Sequence, residues 1–292
     1  MAGYKAKAYK TRYWKPKDDP VKIILNTLGN DLKDGDIIVV SEKAIAVAKG
    51  RLVDESKLEP SLLAKFLARF WMRFVWGYLL APLCHLKPTT VSRLRRYPLK
   101  EGSKHKQLAL SYAGFLQALR HGSEGGIDVS NLPFSYACLP LDDAKAEAES
   151  ILKRVRELTG KKVSVMITDT DMTYSLGRLH LTPRPKPLNG ILSFGGFITY
   201  VLCRSLKLRP RATPLALSGV ELGLDEALEL AEMAHHVRGS GAGKTAWDVS
   251  ERFGVGLTEV SWEMLDAVPH YPLVLFRRSV REGIFQSDLD RP

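Results

Sequence analysis

The sequence predicts an α/β protein in which buried strands alternate with amphipathic helices. Three observations carry that expectation. The run IIVV at 37–40 is continuous and β-branched, as in a strand covered on both faces. A second strand is predicted over 161–170 (KKVSVMITDT). A helix is predicted over 142–159, with Asp142 and Asp143 at its start and Gly160 as its stop.

The chain has 292 residues, enough to bury a substantial core as one large domain or two modest ones. Hydrophobic residues make up 45% and charged residues 26%, which excludes a disordered tail and a membrane bundle. Three cysteines stand far apart with no CxxC pair, excluding a disulfide scaffold and a cysteine-rich zinc site. A reducing, cytoplasmic location is expected, and the N-terminal MAGYKAKAYKTRYWK has no apolar segment of the signal-peptide kind. Only seven Asn and Gln stand beside abundant Lys, Arg and Glu, a composition expected of a thermophile. The formal charge is +11, unevenly placed.

Residues 1–17 carry six cations and no acid, interleaved with Tyr4, Tyr9, Tyr13 and Trp14. Two readings stand: a solvated basic arm, or an anion-seeking arm whose rings stack and whose cations meet phosphates. A short helix is expected over 21–30, a turn over 31–36, then the IIVV strand and a break at Gly50–Arg51. Residues 61–86 are the most apolar stretch, but Lys65, Arg69 and Arg73 interrupt it, so no membrane span is predicted. Their spacing predicts an amphipathic surface helix packed on the core, with a membrane-surface or partner-binding helix as the alternative. Residues 87–120 hold eight cations against Glu101 alone, and 105–120 has helical spacing. The strand at 161–170 is expected to run into a polar loop, and Pro183, Pro185 and Pro187 exclude a helix over 179–190. Residues 191–203 fit a strand or a helix equally, and 225–236 is a helix. With no repeat and no linker, the expected division is a basic aromatic arm, 1–20, and one region, 21–292.

HExxH and GxSxG are absent, and no catalytic residue can be assigned. GSGAGKT at 239–245 is not a P-loop, because Arg238 occupies the first glycine position and a helix precedes it. Such a loop can still bring backbone N–H groups to a phosphate, with Lys244 adding charge, or serve simply as a helix cap and linker. In EGGIDVSN (124–131), Asp128, Ser130 and Asn131 form an oxygen-rich turn suited to hard cations. In MITDTDMTYS (166–175), a strand end delivers Asp169, Thr170 and Asp171. Asx-turns and caps are the alternative for each cluster alone. Together, two carboxylate clusters and a glycine–lysine loop fit a metal–nucleotide site.

GDIIVVSEKAIAVAKGR (35–51), GGIDVSN (125–131), LPLD (139–142) and LTGKKVSVMITDT (158–170) occur in this order and spacing in one family. The chain resembles the coenzyme F-420:γ-glutamyl ligase family, in its archaeal form, from about residue 20 to 170. The resemblance implies a two-part fold of mixed sheet and helices, α/β (α+β) in class, and a homodimer. It implies a GTP-dependent ligase acting through an acyl phosphate, with L-glutamate and a carboxylate-bearing acceptor as substrates and Mg²⁺ or Mn²⁺ as cofactor. Asp128 and Asp169, with Thr170, match metal ligands of that family, and Asn131 matches a nucleotide contact. Ser41, Glu42 and Lys43 fall in the nucleotide-contacting turn, and Gly239, Ser240, Gly241, Gly243 and Lys244 approximate the phosphate-proximal loop. The chain departs from the family pattern at Val47 (a Lys there), at Glu124, at Met172 and at Ser240 (an acid there). The rival expectation is a catalytically degenerate ligase fold that binds RNA or the ribosome through the arm and the basic block.

Overall fold

IIVV lies near the centre of a mixed sheet, between a strand from the middle of the chain and one from its C-terminal part. The structure is a computed structural model and describes residues 3–279. Among the described residues nine strands run in order: β1 (Tyr4–Thr11), β2 (Ile37–Ser41), β3 (Leu52–Asp54), β4 (Tyr136–Cys138), β5 (Ser164–Leu176), β6 (Leu179–Thr182), β7 (Leu192–Ser193), β8 (Arg209–Ser218) and β9 (His270–Arg278). Seven of them form the main sheet in the order β1-β9-β2-β5-β6-β7, with β8 also paired to β5. β3 and β4 form a separate two-stranded ribbon. The sheet is mixed, since β2 and β5 run parallel while β9 is antiparallel to both β1 and β2.

Helices cover both faces, as the continuous apolar character of β2 requires. On one face α1 (Pro20–Leu28), α2 (Glu42–Ala48) and α8 (Ala144–Thr159) bury Ile24, Leu28, Ile45, Ile151 and Val155 against Ile38, Val40, Val165 and Ile167. Asp143 caps α8 by accepting from the N–H of Ala146 at 2.9 Å, and Gly160 ends it with φ +67°. On the other face α10 (Leu224–Arg238) packs Ala227, Leu230 and Ala234 against Val39, Met166 and Val274.

A helical layer stands beside the sheet. α3 (Leu62–Phe66) continues into a π-helix (Leu67–Leu80) and α4 (Ala81–Leu83), followed by α5 (Pro88–Arg95), α6 (Leu99–Tyr112) and α7 (Phe115–Ala118). α9 (Phe197–Ser205) packs on this layer, and α11 (Ala246–Phe253) and α12 (Trp262–Asp266) precede β9. Among the described residues no helix is long and apolar enough to cross a membrane.

Several sequence expectations shift. The basic arm is an edge strand within the described residues, β1 pairing with β9 from Tyr4 to Thr11, and Tyr13 and Trp14 are buried at 4% and 2% exposure. Alternation accounts for β1, because Tyr4, Ala6 and Ala8 share one face while Tyr9 lies on the opposite face with Lys5 and Lys7. The helix expected over 105–120 is instead α6 and α7, broken at Gly114 with φ +86°. The polar loop expected after 170 is further strand: β5 continues to Leu176 along β8. Residues 191–203 are both strand and helix, β7 and then α9.

Candidate functional site

The parallel register places Ser41, the last residue of β2, beside Thr168, and β5 runs on past the end of β2. Glu42 and Lys43 after β2 and the stretch of β5 beyond Thr168 therefore lie together at the carboxyl end of β2, the kind of place where ligands bind in open α/β sheets. Glu42 and Lys43 leave β2 into α2, and Asp169 comes directly after Thr168 in β5. Between Asp169 and Met172 the pairing with β8 slips, since Asp169 faces Thr213 and Met172 faces Ala212. Thr170 and Asp171 are thus extra residues in a bulge, a device that re-aims side chains beside sites.

Two carboxylates at this edge share one cation. Arg184, buried at 3% exposure, donates from Nη2 to both Glu42 oxygens at 2.8 and 2.7 Å and from Nε to Asp169 Oδ2 at 2.6 Å. Burial opposes the Arg184 charge, but Glu42 and Asp169 outweigh it and raise its pKa. Burial pushes the Glu42 carboxyl up to about 7, with Arg184 opposing and Asp169 adding. Gly126 makes room for the guanidinium, because a Cβ there would lie 2.5 Å from Arg184 Cζ at a φ of +92°.

The second cluster is built on the 124–131 turn. Asp128 Oδ1 accepts from the Ser130 N–H and hydroxyl, both at 2.7 Å, and Lys43 Nζ lies 2.9 Å from Oδ2. Burial pushes the Asp128 pKa up, but Lys43 and Ser130 outweigh it and hold it below the ordinary carboxylate range. Asn131, at φ +51°, anchors the glycine loop. Its Oδ1 accepts from the N–H groups of Ala242 at 2.8 Å and Gly243 at 3.2 Å, while Nδ2 donates to the carbonyls of Gly243 and Ser240. The Tyr13 hydroxyl also accepts from the Ala242 N–H, at 3.1 Å.

A cavity of about 410 Å³ opens beside these parts, and Ser41, Glu42, Lys43, Asn131, Asp169, Arg184 and residues 239–243 do not line it. Asp128, Ser130, Thr170, Asp171 and Lys244 line it, and it continues into the helical layer towards Tyr97 and Tyr200. Asp171 is 5% exposed, its Oδ2 has no hydrogen bond among the described residues, and Arg120 Nη1 is 3.6 Å away. Burial pushes its carboxyl up to about 6, with Arg120 opposing and Asp169 adding. In the cavity wall, His105 lies 2.7 Å from Glu55 and 3.1 Å from Glu124, and Lys106 Nζ behind it donates to Glu124 at 2.6 Å.

Among the described residues no three His, Cys, Asp or Glu side chains converge as a metal cage. The donors still suit Mg²⁺ or Mn²⁺, since such ions bind through one or two carboxylates and substrate phosphates. Asp128 and Thr170 share the cavity, and the buried, unpartnered oxygen of Asp171 is a further hard donor. Lys43 on Asp128 and Arg184 on Asp169 are the counter-charges an ion would displace.

Two residues of the site carry little signal in the sequence. Arg184 lies inside the TPRPKP stretch, where a charge between prolines is the only hint. Arg238 stands out only as the residue that spoils a P-loop, yet it ends α10 directly before the glycine loop. It is 8% exposed, and among the described residues neither Nη1 nor Nη2 has a hydrogen-bond partner. Burial pushes its pKa down to about 10, with Asp169 opposing. Val47, where the family resemblance expects a nucleotide-facing Lys, is a core residue at 4% exposure.

A family model described as F420-0:gamma-glutamyl ligase matches residues 9–196. The chain belongs to the F420-0:gamma-glutamyl ligase family. It is 34% identical to an uncharacterized protein of Methanocaldococcus jannaschii over 92% of this chain and 94% of that one. It is 28% identical to the coenzyme F420:L-glutamate ligase of Methanothermobacter thermautotrophicus, over 52% of this chain and 56% of that enzyme. For the coenzyme F420:L-glutamate ligase of Methanopyrus kandleri the identity is 26%, over 53% and 55%. The chain thus matches about half the length of these ligases. Glu42, Asp128, Asp169 and Arg184 fall inside the family match, whereas Arg238 and the glycine loop lie beyond it.

Proposed function

We propose that the protein is a GTP-dependent amide ligase that joins L-glutamate to a carboxylate-bearing acceptor. An acceptor carboxylate oxygen attacks the γ-phosphorus and GDP leaves. The glutamate amine then attacks the acyl carbon, loses a proton, and phosphate leaves, giving the amide. Such phosphoryl transfer depends on positioning and charge neutralisation more than on covalent protein chemistry.

The observation that carries this reading is the tie from Asn131 to the glycine loop, 112 positions away, which keeps Lys244 on the same cavity as Asp128 and Thr170. The loop's N–H groups, Lys244 and Arg238 would receive the phosphates, with Ser41, Glu42 and Lys43 at the nucleotide-side turn. Asp128, Asp169 and Thr170 would hold Mg²⁺ or Mn²⁺, which would neutralise charge on the transferring phosphoryl group. The cavity's extension into the helical layer would take the acceptor, and coenzyme F420-0 is the first to test because the relatives' names point to it.

Calorimetry of GTP with and without Mn²⁺, followed by glutamate-dependent release of GDP, tests the proposal. Metal-dependent GTP binding that weakens at least about tenfold in Asp128→Asn is expected, a loss of about 1.4 kcal/mol. Absence of metal-dependent GTP binding overturns it.

A further inference from the structure

The long helix of 62–83 is apolar on two sides. Its inner side is buried through Ala64, Leu67, Ala68, Met72 and Trp76. Its outer side carries Phe66, Phe70, Phe74 and Tyr78, exposed at 52, 48, 54 and 54%, and Leu62, exposed at 84%. The four rings form a continuous ladder with centroids 5.3, 5.7 and 6.3 Å apart. A contiguous apolar stripe of this kind marks an interaction surface, not a scatter of exposed residues. The sequence put three cations on one face and the apolar residues elsewhere; Lys65 and Arg69 in fact stand exposed beside the rings.

Charge identifies what covers the stripe. Between Glu59 and Glu101 the chain has no acidic residue. Lys65 and Arg69 border the ladder, Arg95 lies 4.2 Å over the Tyr78 ring, and Arg96 is exposed just past the end of the adjoining α5. We propose that this aromatic, cation-bordered stripe docks the protein on an anionic phospholipid surface, with the helix lying in the plane of the interface. That is the arrangement of an interfacial amphipathic helix, its rings in the acyl boundary and its cations at the headgroups.

Two other occupants fit less well. A two-fold contact with a second copy would set Lys65, Arg69 and Arg96 of both copies on one patch with no carboxylate from the stripe. RNA would need open ring faces for base stacking, but neighbouring rings tilt by only 24, 32 and 23° and cover one another's faces.

The test is co-sedimentation of the full chain with vesicles of phosphatidylcholine, with and without phosphatidylglycerol, at low and high salt. Binding at least about tenfold tighter to the anionic vesicles, weakened by salt, is expected. Phe70→Glu with Phe74→Glu should abolish it while circular dichroism stays unchanged. Phe70→Ser with Phe74→Ser replaces that variant if the glutamates disturb the helix. No vesicle binding overturns the proposal. So does a dimer that the same variant dissociates, or RNA binding that the variant removes while vesicle binding survives.

Discussion

Arg184 holds both oxygens of Glu42, at 2.7 and 2.8 Å, across 142 positions of sequence. The same guanidinium reaches Asp169, so one buried cation joins the end of β2 to the middle of β5. Removing one partner of a buried pair leaves an uncompensated charge, which costs more than the pair contributes.

Arg184→Met should therefore destabilise the protein by about 3–5 kcal/mol in urea unfolding. Adding Glu42→Gln should recover part of that loss, because the stranded carboxylate is gone. A double variant no more stable than Arg184→Met alone would rule this account out.

His105 should give stability a particular pH dependence. Burial lowers its pKa, but Glu55 and Glu124 outweigh that and raise it to about 10 from 6.5. The folded-state value exceeds the unfolded one, so the proton taken up stabilises the fold. Its contribution is complete below pH 6.5 and disappears as pH rises through about 10. Denaturant midpoints across this range should fall for the natural protein, and should fall less for His105→Gln.

Arg238→Met should stabilise the ligand-free protein by about 1–4 kcal/mol, since it replaces an unpaired buried charge with apolar volume. Phosphate or GTP should raise the melting temperature of the natural protein and leave the variant's nearly unchanged. Equal ligand-induced shifts in both would remove Arg238 from the anion site.

Gly241 stands at φ +59°, and a Cβ there would meet the Tyr13 hydroxyl at 2.7 Å. Gly241→Ala should cost about 1–2 kcal/mol from the left-handed backbone alone. GTP affinity should fall with it, because the loop must leave its hydrogen bonds to Tyr13 and Asn131. Unchanged affinity by calorimetry would show that the loop does not touch the nucleotide.

The elements of the sheet that rest on local pattern were legible: the IIVV strand, the capped α8 and the strand towards Asp169 each declare themselves within a few residues. Long-range pairing did not. Nothing near Lys5 or Lys7 shows that β9 lies alongside, so an alternating strand reads as a basic arm. At the site, Asp128, Asp169 and the glycine loop stood out because Asp and Gly mark turns. Arg184 and Arg238 did not, because the role of an arginine depends on which carboxylate the fold brings to it, or on the absence of one.

The strand order has a consequence for biosynthesis. β9 enters the sheet between β1 and β2, and Arg277 there pairs with Asp36, 241 positions earlier. After β5 is made and until β9 follows, Val39 and Val40 have one neighbour missing and an open ladder edge. Such an edge is prone to pairing with the wrong chain until the late strand arrives. Closure over so long a loop is slow, so a shortage of chaperone should harm the nascent protein far more than the finished one.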